Sequence, residues 1–167
     1  MKESLVSSAI VDQQGYRLNV GLVIVNRKGQ LWWGRRVGTE EAWQFPQGGL
    51  QPQETLQDAL YRELVEELGL PADAVACLGK TKRWLRYRLP TSFRSSDAHY
   101  VGQKQRWFLL RLLADETAIS LNQTDYPEFD QWCWVDYWYP LQHVIAFKRS
   151  VYRAVLTEFE SQVGAEC

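Results

Sequence analysis

Apolar positions along the chain follow two periods. Near-continuous or alternating apolar runs predict strands at YRLNVGLVIVN and LWWGRRV, joined as a hairpin through the turn RKGQ. Further strands are predicted at WQF, over about 75–89 with an interruption at Gly79, at QKQRWFLLRLL and at QWCWV. The polar stretches GTEEA, PQGGLQPQE, PTSFRSSDAHYVG and SLNQTDYPEFD predict the loops between them. Two stretches change to helical spacing. Leu56, Leu60, Leu64 and Leu68 recur every four residues and predict a helix over about 55–68, stopped by Gly69 and Pro71. After Pro140 the pattern is helical to the end, with Val144, Val151, Val155 and Phe159 on one side. Strands alternating with two helices of different length predict a mixed sheet covered by helices, an α/β layer fold.

At 167 residues the chain is expected to form one domain, 1–167, frayed over about 1–8 and 163–167. Hydrophobic residues are 46% and charged residues 23%, the balance of a globular rather than a disordered chain. A formal net charge of -1 argues against a protein that coats nucleic acid by charge alone. Cys77, Cys133 and Cys167 are widely spaced without a CxxC pair, so neither a disulfide framework nor a zinc site is indicated. No apolar run approaches the roughly 20 residues of a membrane span. MKESLVSSAIVDQQGYR lacks the apolar core of a signal peptide, and a cytoplasmic location is expected.

One stretch conflicts with simple helix electrostatics. Glu63, Glu66 and Glu67 fall on one face of the leucine-striped helix, where like charges three and four apart repel. A plain reading is a solvated face with an Arg62–Glu66 pair. The sharper reading is a half-site for a hard divalent cation such as magnesium, which takes carboxylates and leaves positions for water and phosphate oxygen. Glu54, just before the helix, is placed to help Arg62 fix the glutamates.

Context favours the sharper reading. From Gly48 the chain runs five residues to Glu54, then seven to Arg62-Glu63-Leu64-x-Glu66-Glu67-x-Gly69-Leu70. Nine specified positions match by chance roughly once in 10⁹ to 10¹⁰ starts at average residue usage. At every one of these positions the chain resembles the Nudix hydrolases. The resemblance implies an α-β-α sandwich and hydrolysis of a nucleoside diphosphate linked to another group. By that resemblance Glu63, Glu66 and Glu67 are the metal ligands, Gly48 and Gly49 let backbone approach the phosphates, and Arg62 orients. It implies Mg²⁺, replaceable by Mn²⁺, with more than one ion when substrate is bound. Spacing leaves the general base open between Glu67 and a residue on a distant loop, for which TDYPEFD offers Glu128.

Outside the signature, WQFPQGG, GYRLNVG, WLRYRLP, GQKQRWFLL, PEFDQWCWV and YWYPL with VIAFKRSVYR resemble the bacterial RNA pyrophosphohydrolase branch. That branch overlaps the dinucleoside polyphosphate hydrolases. The resemblance spans about 15–159. It implies removal of pyrophosphate from the 5′-triphosphate end of RNA, leaving a monophosphate that promotes mRNA decay. Dinucleoside polyphosphates such as diadenosine tetraphosphate are the alternative substrate. It further implies that Arg17, Tyr87 and Lys148 contact phosphates, and that Arg36 and Phe147 sandwich a base with Ile145 lining the cleft. An activating protein partner is known in the family and cannot be read from these residues.

The residues themselves support part of this. Lys80, Lys82, Arg83, Arg86 and Arg88 interleave with Trp84 and Tyr87, and Phe147, Lys148, Arg149 and Arg153 repeat the combination. Cations track phosphates while rings stack on bases, although a half-exposed strand with a solvated basic face reads the same way. Alternation places Tyr87 with Leu85 and Leu89, opposite Trp84 and Arg86, which requires either an exposed Leu89 or a bulge if Tyr87 is to reach substrate. His99 and His143 stand alone and read as surface or interface residues. A cleaner of free nucleoside triphosphates would have no need of the second basic-aromatic stretch. An RNA-binding module without catalysis would need a broken metal helix, and this one is intact.

Overall fold

A computed structural model describes residues 9–38, 42–94 and 99–163. Among the described residues eight strands form one mixed sheet: β1 (Tyr16–Val25), β2 (Leu31–Arg36), β3 (Trp43–Gln44), β4 (Gln47–Gly49), β5 (Val75–Lys80), β6 (Leu85–Arg88), β7 (Gly102–Leu112) and β8 (Phe129–Val135). The helices are α1 (Leu56–Leu68), α2 (Tyr139–His143) and α3 (Arg149–Val163). The spine of the sheet is the parallel pair β1–β7, in register from Tyr16 opposite Gly102 to Val25 opposite Arg111.

Alternation along these two strands builds the layers. Val20, Leu22, Ile24, Phe108 and Leu110 face α1 and bury its stripe of Leu60, Leu64 and Leu68, with Leu56 half-buried at the edge. Val23, Val25, Trp107 and Leu109 face the other way and meet Val151, Tyr152, Val155, Leu156 and Phe159 of α3. The result is the α-β-α sandwich expected from the sequence. Among the described residues no helix is long and apolar enough to cross a membrane.

α1 starts and stops as its sequence dictates. Thr55 and Asp58 form a reciprocal capping box, with Thr55 Oγ1 accepting from the Asp58 N–H at 3.0 Å and Asp58 Oδ2 from the Thr55 N–H at 3.1 Å. Gly69 closes the other end in the left-handed conformation, φ 68°, where a side chain would be strained.

Four local expectations are corrected. PQGGLQPQE is not wholly a loop, because Gln47–Gly49 pairs with β1 from Asn19 to Gly21. The β1–β2 hairpin closes only at Val25 opposite Leu31, after which β2 turns away to pair with β3 and β8. The strand over 75–89 is two strands on β7, with a register shift between Cys77 and Gly79 and a non-strand link over 81–84. The C-terminal helix is broken: Val144 and Ile145 are extended, ψ 153° and 140°, and a 3₁₀ turn Ala146–Lys148 precedes α3. Two adjacent β-branched residues suit that extended link. Of the expected frayed ends, all but Val163, which ends α3, lie outside the described residues, as does most of GTEEA.

Candidate active site

The divergence of β1 and β2 leaves room for β4, and β4 carries Gly48 and Gly49 against the N-terminal half of β1. A Cβ on Gly48 would collide with the Glu63 carboxylate, and one on Gly49 with the Arg17 guanidinium. The glycines therefore let an acid and a base sit directly on strand backbone, on opposite sides of β4.

Arg62 holds the acidic side in place. Its Nε and Nη2 donate to the two oxygens of Glu54 at 2.6 and 2.9 Å, and Nη2 also donates to the Gly49 carbonyl at 2.9 Å. Nη1 donates to Glu63 Oε1 at 2.9 Å and to Glu66 Oε2 at 3.3 Å. This fork ties helix to loop, the orienting role expected of it.

The carboxylates gather differently from the expected trio. One oxygen each of Glu63, Glu67 and Glu128 lie within 4.8 Å of one another. Glu66 is held by Arg62 outside that cluster. Glu128 arrives from the loop before β8: its N–H donates to Glu67 Oε2 at 3.2 Å, and its carbonyl accepts from the Val37 N–H at 2.9 Å. Burial, with Glu67 and Glu66 adding repulsion against the pull of Arg62, pushes Glu63 up to about 7. Burial, then Glu67 and Glu63, pushes Glu128 up to about 8. Burial also raises Glu67. Three oxygen donors that repel one another in a half-dry site fit a hard divalent cation, which relieves both penalties.

Cations line the same cleft as this cluster, a cavity of about 500 Å³. Arg17, Arg36, Tyr87, Phe147 and Lys148 line it together with Gly48, Gly49, Glu63, Glu67 and Glu128. Lys148 is buried, and its Nζ donates to Gln44 Oε1 at 2.8 Å. Burial and the neighbouring Arg36 hold its ammonium down at about 8. The Arg17 guanidinium lies 5.7 Å from the Tyr100 ring centre, and its buried Nε has no hydrogen-bond partner among the described residues. Ile145 lines a second, more apolar cavity of about 550 Å³ that shares Arg36, Gln44, Phe93, Phe147 and Lys148 with the first.

Tyr87 resolves its conflict without a bulge or an exposed Leu89. β6 pairs with β7 in unbroken register, Leu85 and Leu89 stay half-buried, and the Tyr87 ring is buried among them. Its hydroxyl accepts from Gln47 Nε2 at 3.0 Å, and its ring packs against Phe147 and Lys148 of the cleft. The basic-aromatic stretch is thus divided. Trp84 lies on the reverse face beneath Lys104 and Arg106, at 5.7 and 5.8 Å, and Arg86 lies over Tyr16 at 5.0 Å. His143 stacks on Tyr139 at 3.8 Å and stands apart from the carboxylates.

The amides of the site were not anticipated. Gln44, Gln47 and Gln103 line the cleft, and Gln105 links Asn19 at 2.8 Å to Gln47 at 3.2 Å beneath it. Their signal was present as polar residues inside apolar strands, Asn19 in YRLNVG and glutamines alternating through GQKQRW. Gln103 Oε1 is buried without a hydrogen-bond partner among the described residues.

Fold and cleft together define a hydrolase of linked phosphates, and comparison places it. The NUDIX domain matches residues 15–157, and the chain belongs to the Nudix family. It is 54% identical over 158 residues to the RNA pyrophosphohydrolase of Coxiella burnetii, covering 93% of this chain and 69% of that protein. It is 53% identical over 152 residues to the RNA pyrophosphohydrolase of Hahella chejuensis, covering 90% and 94%. The structure also resembles a binary complex of Ap4A hydrolase from C. elegans, with TM-score 0.62 at 18% identity over 86% of this chain and 98% of that one.

Proposed function

We propose that the protein removes pyrophosphate from the 5′-triphosphate end of RNA: one water enters, one phosphoanhydride bond breaks, and 5′-monophosphate RNA and pyrophosphate leave. In a cell this chemistry belongs to the cytoplasm, where a monophosphorylated message is open to decay. The observation that carries the reading is that Glu63, Glu67 and Glu128 line one cleft together with Arg17, Arg36 and Lys148. A polyphosphate placed there meets both cations and a metal-binding acid cluster. More than half identity to two RNA pyrophosphohydrolases supports RNA as the substrate.

Glu63, Glu67 and Glu128 would hold Mg²⁺ or Mn²⁺, with Glu66 available for a further ion. A bound cation supplies charge neutralisation at the phosphates and a water acidic enough to become the nucleophile. The chain does the rest. Arg17 and Lys148 hold the phosphates, the Tyr87 hydroxyl donates to a phosphate oxygen, and a carboxylate left free of metal takes the proton from water. Arg36 and Phe147 hold a base beside the second cavity, with Ile145 as its apolar wall.

A dinucleoside polyphosphate would fit the same phosphate cleft. The resemblance to the worm Ap4A hydrolase is at the level of fold and does not favour that substrate. Competition between a short triphosphorylated RNA and diadenosine tetraphosphate tests the choice. Preferential release of pyrophosphate from RNA is expected; preference for the dinucleotide would replace the proposal with its rival.

A further inference from the structure

Gln44 is a neutral side chain that bonds both an acid and a cation of the cleft. It is 5% exposed on β3, its backbone paired with Gly34 of β2. Its Nε2 donates to Glu128 Oε1 at 3.0 Å, and its Oε1 accepts from Lys148 Nζ at 2.8 Å. The chemistry fixes the orientation of the amide. A flipped amide would aim its NH₂ at an ammonium and its oxygen at a carboxylate, losing both bonds.

Opposite charges this close in a poorly hydrated site attract strongly. If the Lys148 ammonium closed on the Glu128 carboxylate, each would be consumed by the other. Glu128 would then offer less negative charge to a cation, and Lys148 less positive charge to a phosphate. An amide between them satisfies both groups and carries no charge.

We infer that Gln44 is a positioning residue that keeps Lys148 and Glu128 apart, reserving the ammonium for substrate phosphate and the carboxylate for the metal. This rests on the reading of the cleft given above, though only on its metal and phosphate halves and not on RNA as the substrate.

The test is a double-mutant cycle read by calorimetric titration of Mn²⁺ into the substrate-free protein, using wild type, Gln44→Leu, Lys148→Met and the double variant. Gln44→Leu lets the two charges meet, and Mn²⁺ affinity should fall by about tenfold, the scale of lost outer-shell partners. In the Lys148→Met background no ammonium remains to close on Glu128, and the same change should shift affinity by less than about twofold. KM for a triphosphorylated dinucleotide should rise with Gln44→Leu more than kcat falls at saturating metal. Equal losses of Mn²⁺ affinity in both backgrounds would make Gln44 a plain structural contact and overturn the inference. So would no loss in either. Gln44→Met, whose unbranched chain follows the same path, serves if Gln44→Leu fails to fold. Wild-type protein that took up no Mn²⁺ would overturn the metal site itself, a result distinct from failure of the spacer alone.

Discussion

Gly48 and Glu63 meet so closely between β4 and α1 that no side chain fits between the glycine backbone and the carboxylate. The contact is backbone against acid, and the Arg62 fork closes the acid from the other side. Gly48→Ala should therefore displace Glu63 rather than unfold the sheet. The Mg²⁺ concentration for half-maximal activity is expected to rise by about tenfold or more. Metal titration of activity, paired with thermal unfolding, checks this. An unchanged metal requirement would mean that Glu63 does not depend on that contact.

Glu67 carries two duties that one substitution separates. Its Oε2 accepts from the Glu128 N–H, which holds the loop before β8, and its charge belongs to the carboxylate cluster. Glu67→Gln keeps an oxygen for that N–H and removes the charge. Turnover is expected to fall by about 10² or more, while the fold is retained. Metal-free protein should be no less stable than wild type, since a half-buried, repelled carboxylate has been neutralised. Pyrophosphate release and thermal unfolding measure the two duties, and near-normal turnover at saturating Mg²⁺ would remove Glu67 from the chemistry.

Much of this was legible in the chain because it is periodic or local. The leucine stripe, the Thr55 and Gly69 ends of α1 and the acidic face all follow from spacing alone. The carboxylate cluster was only half legible, because helical spacing groups Glu66 with Glu63 while tertiary contact brings Glu128 across 61 positions to Glu67. Arg62 pairs with both Glu63 and Glu66, so the difference lies in where the loop before β8 delivers Glu128. Lys148 and Phe147 reach the cleft because the C-terminal helix breaks at Val144 and Ile145, and a periodicity that continues past a break hides it. The Gln44 bridge joins residues 104 and 84 positions away. No local pattern encodes such a pairing.

The raised carboxylates make stability depend on pH and metal together. Glu63 and Glu128 move from an ordinary 4.5 up to about 7 and about 8, chiefly through burial. A folded-state pKa raised above the unfolded one favours folding while the group is protonated. That contribution is full below about 4.5 and is lost as pH rises through 7 to 8. Metal-free protein should thus lose stability across that window, and a divalent cation should restore it most where the acids are ionised. The increase in Tm on adding saturating Mg²⁺ is expected to be larger at about pH 8.5 than at about pH 6. Scans in chelator and in Mg²⁺ at both values decide it. A metal-induced increase that shrank with pH would contradict the burial of these charges.

Phe147 stands where the two cavities meet, packed on Tyr87 at 5.7 Å and on Phe93 at 5.1 Å. Arg36 lines both cavities from the end of β2. If a base lies between them, Phe147→Ala removes a stacking surface worth about 1–3 kcal/mol, or roughly 5- to 150-fold in KM for RNA. Arg36→Met should act in the same direction by removing the cationic partner. Phe147→Ala leaves the charges around the carboxylates unchanged, so its metal requirement should hold constant while the ratio of kcat/KM for triphosphorylated RNA over diadenosine tetraphosphate falls. Arg36 stabilises the Glu128 carboxylate, so Arg36→Met should shift the metal requirement as well. An unchanged ratio would leave the phosphate cleft intact but assign the base elsewhere. A fall in both substrates together would show Phe147 acting through Tyr87, whose ring it packs against and whose hydroxyl is proposed to donate to a phosphate.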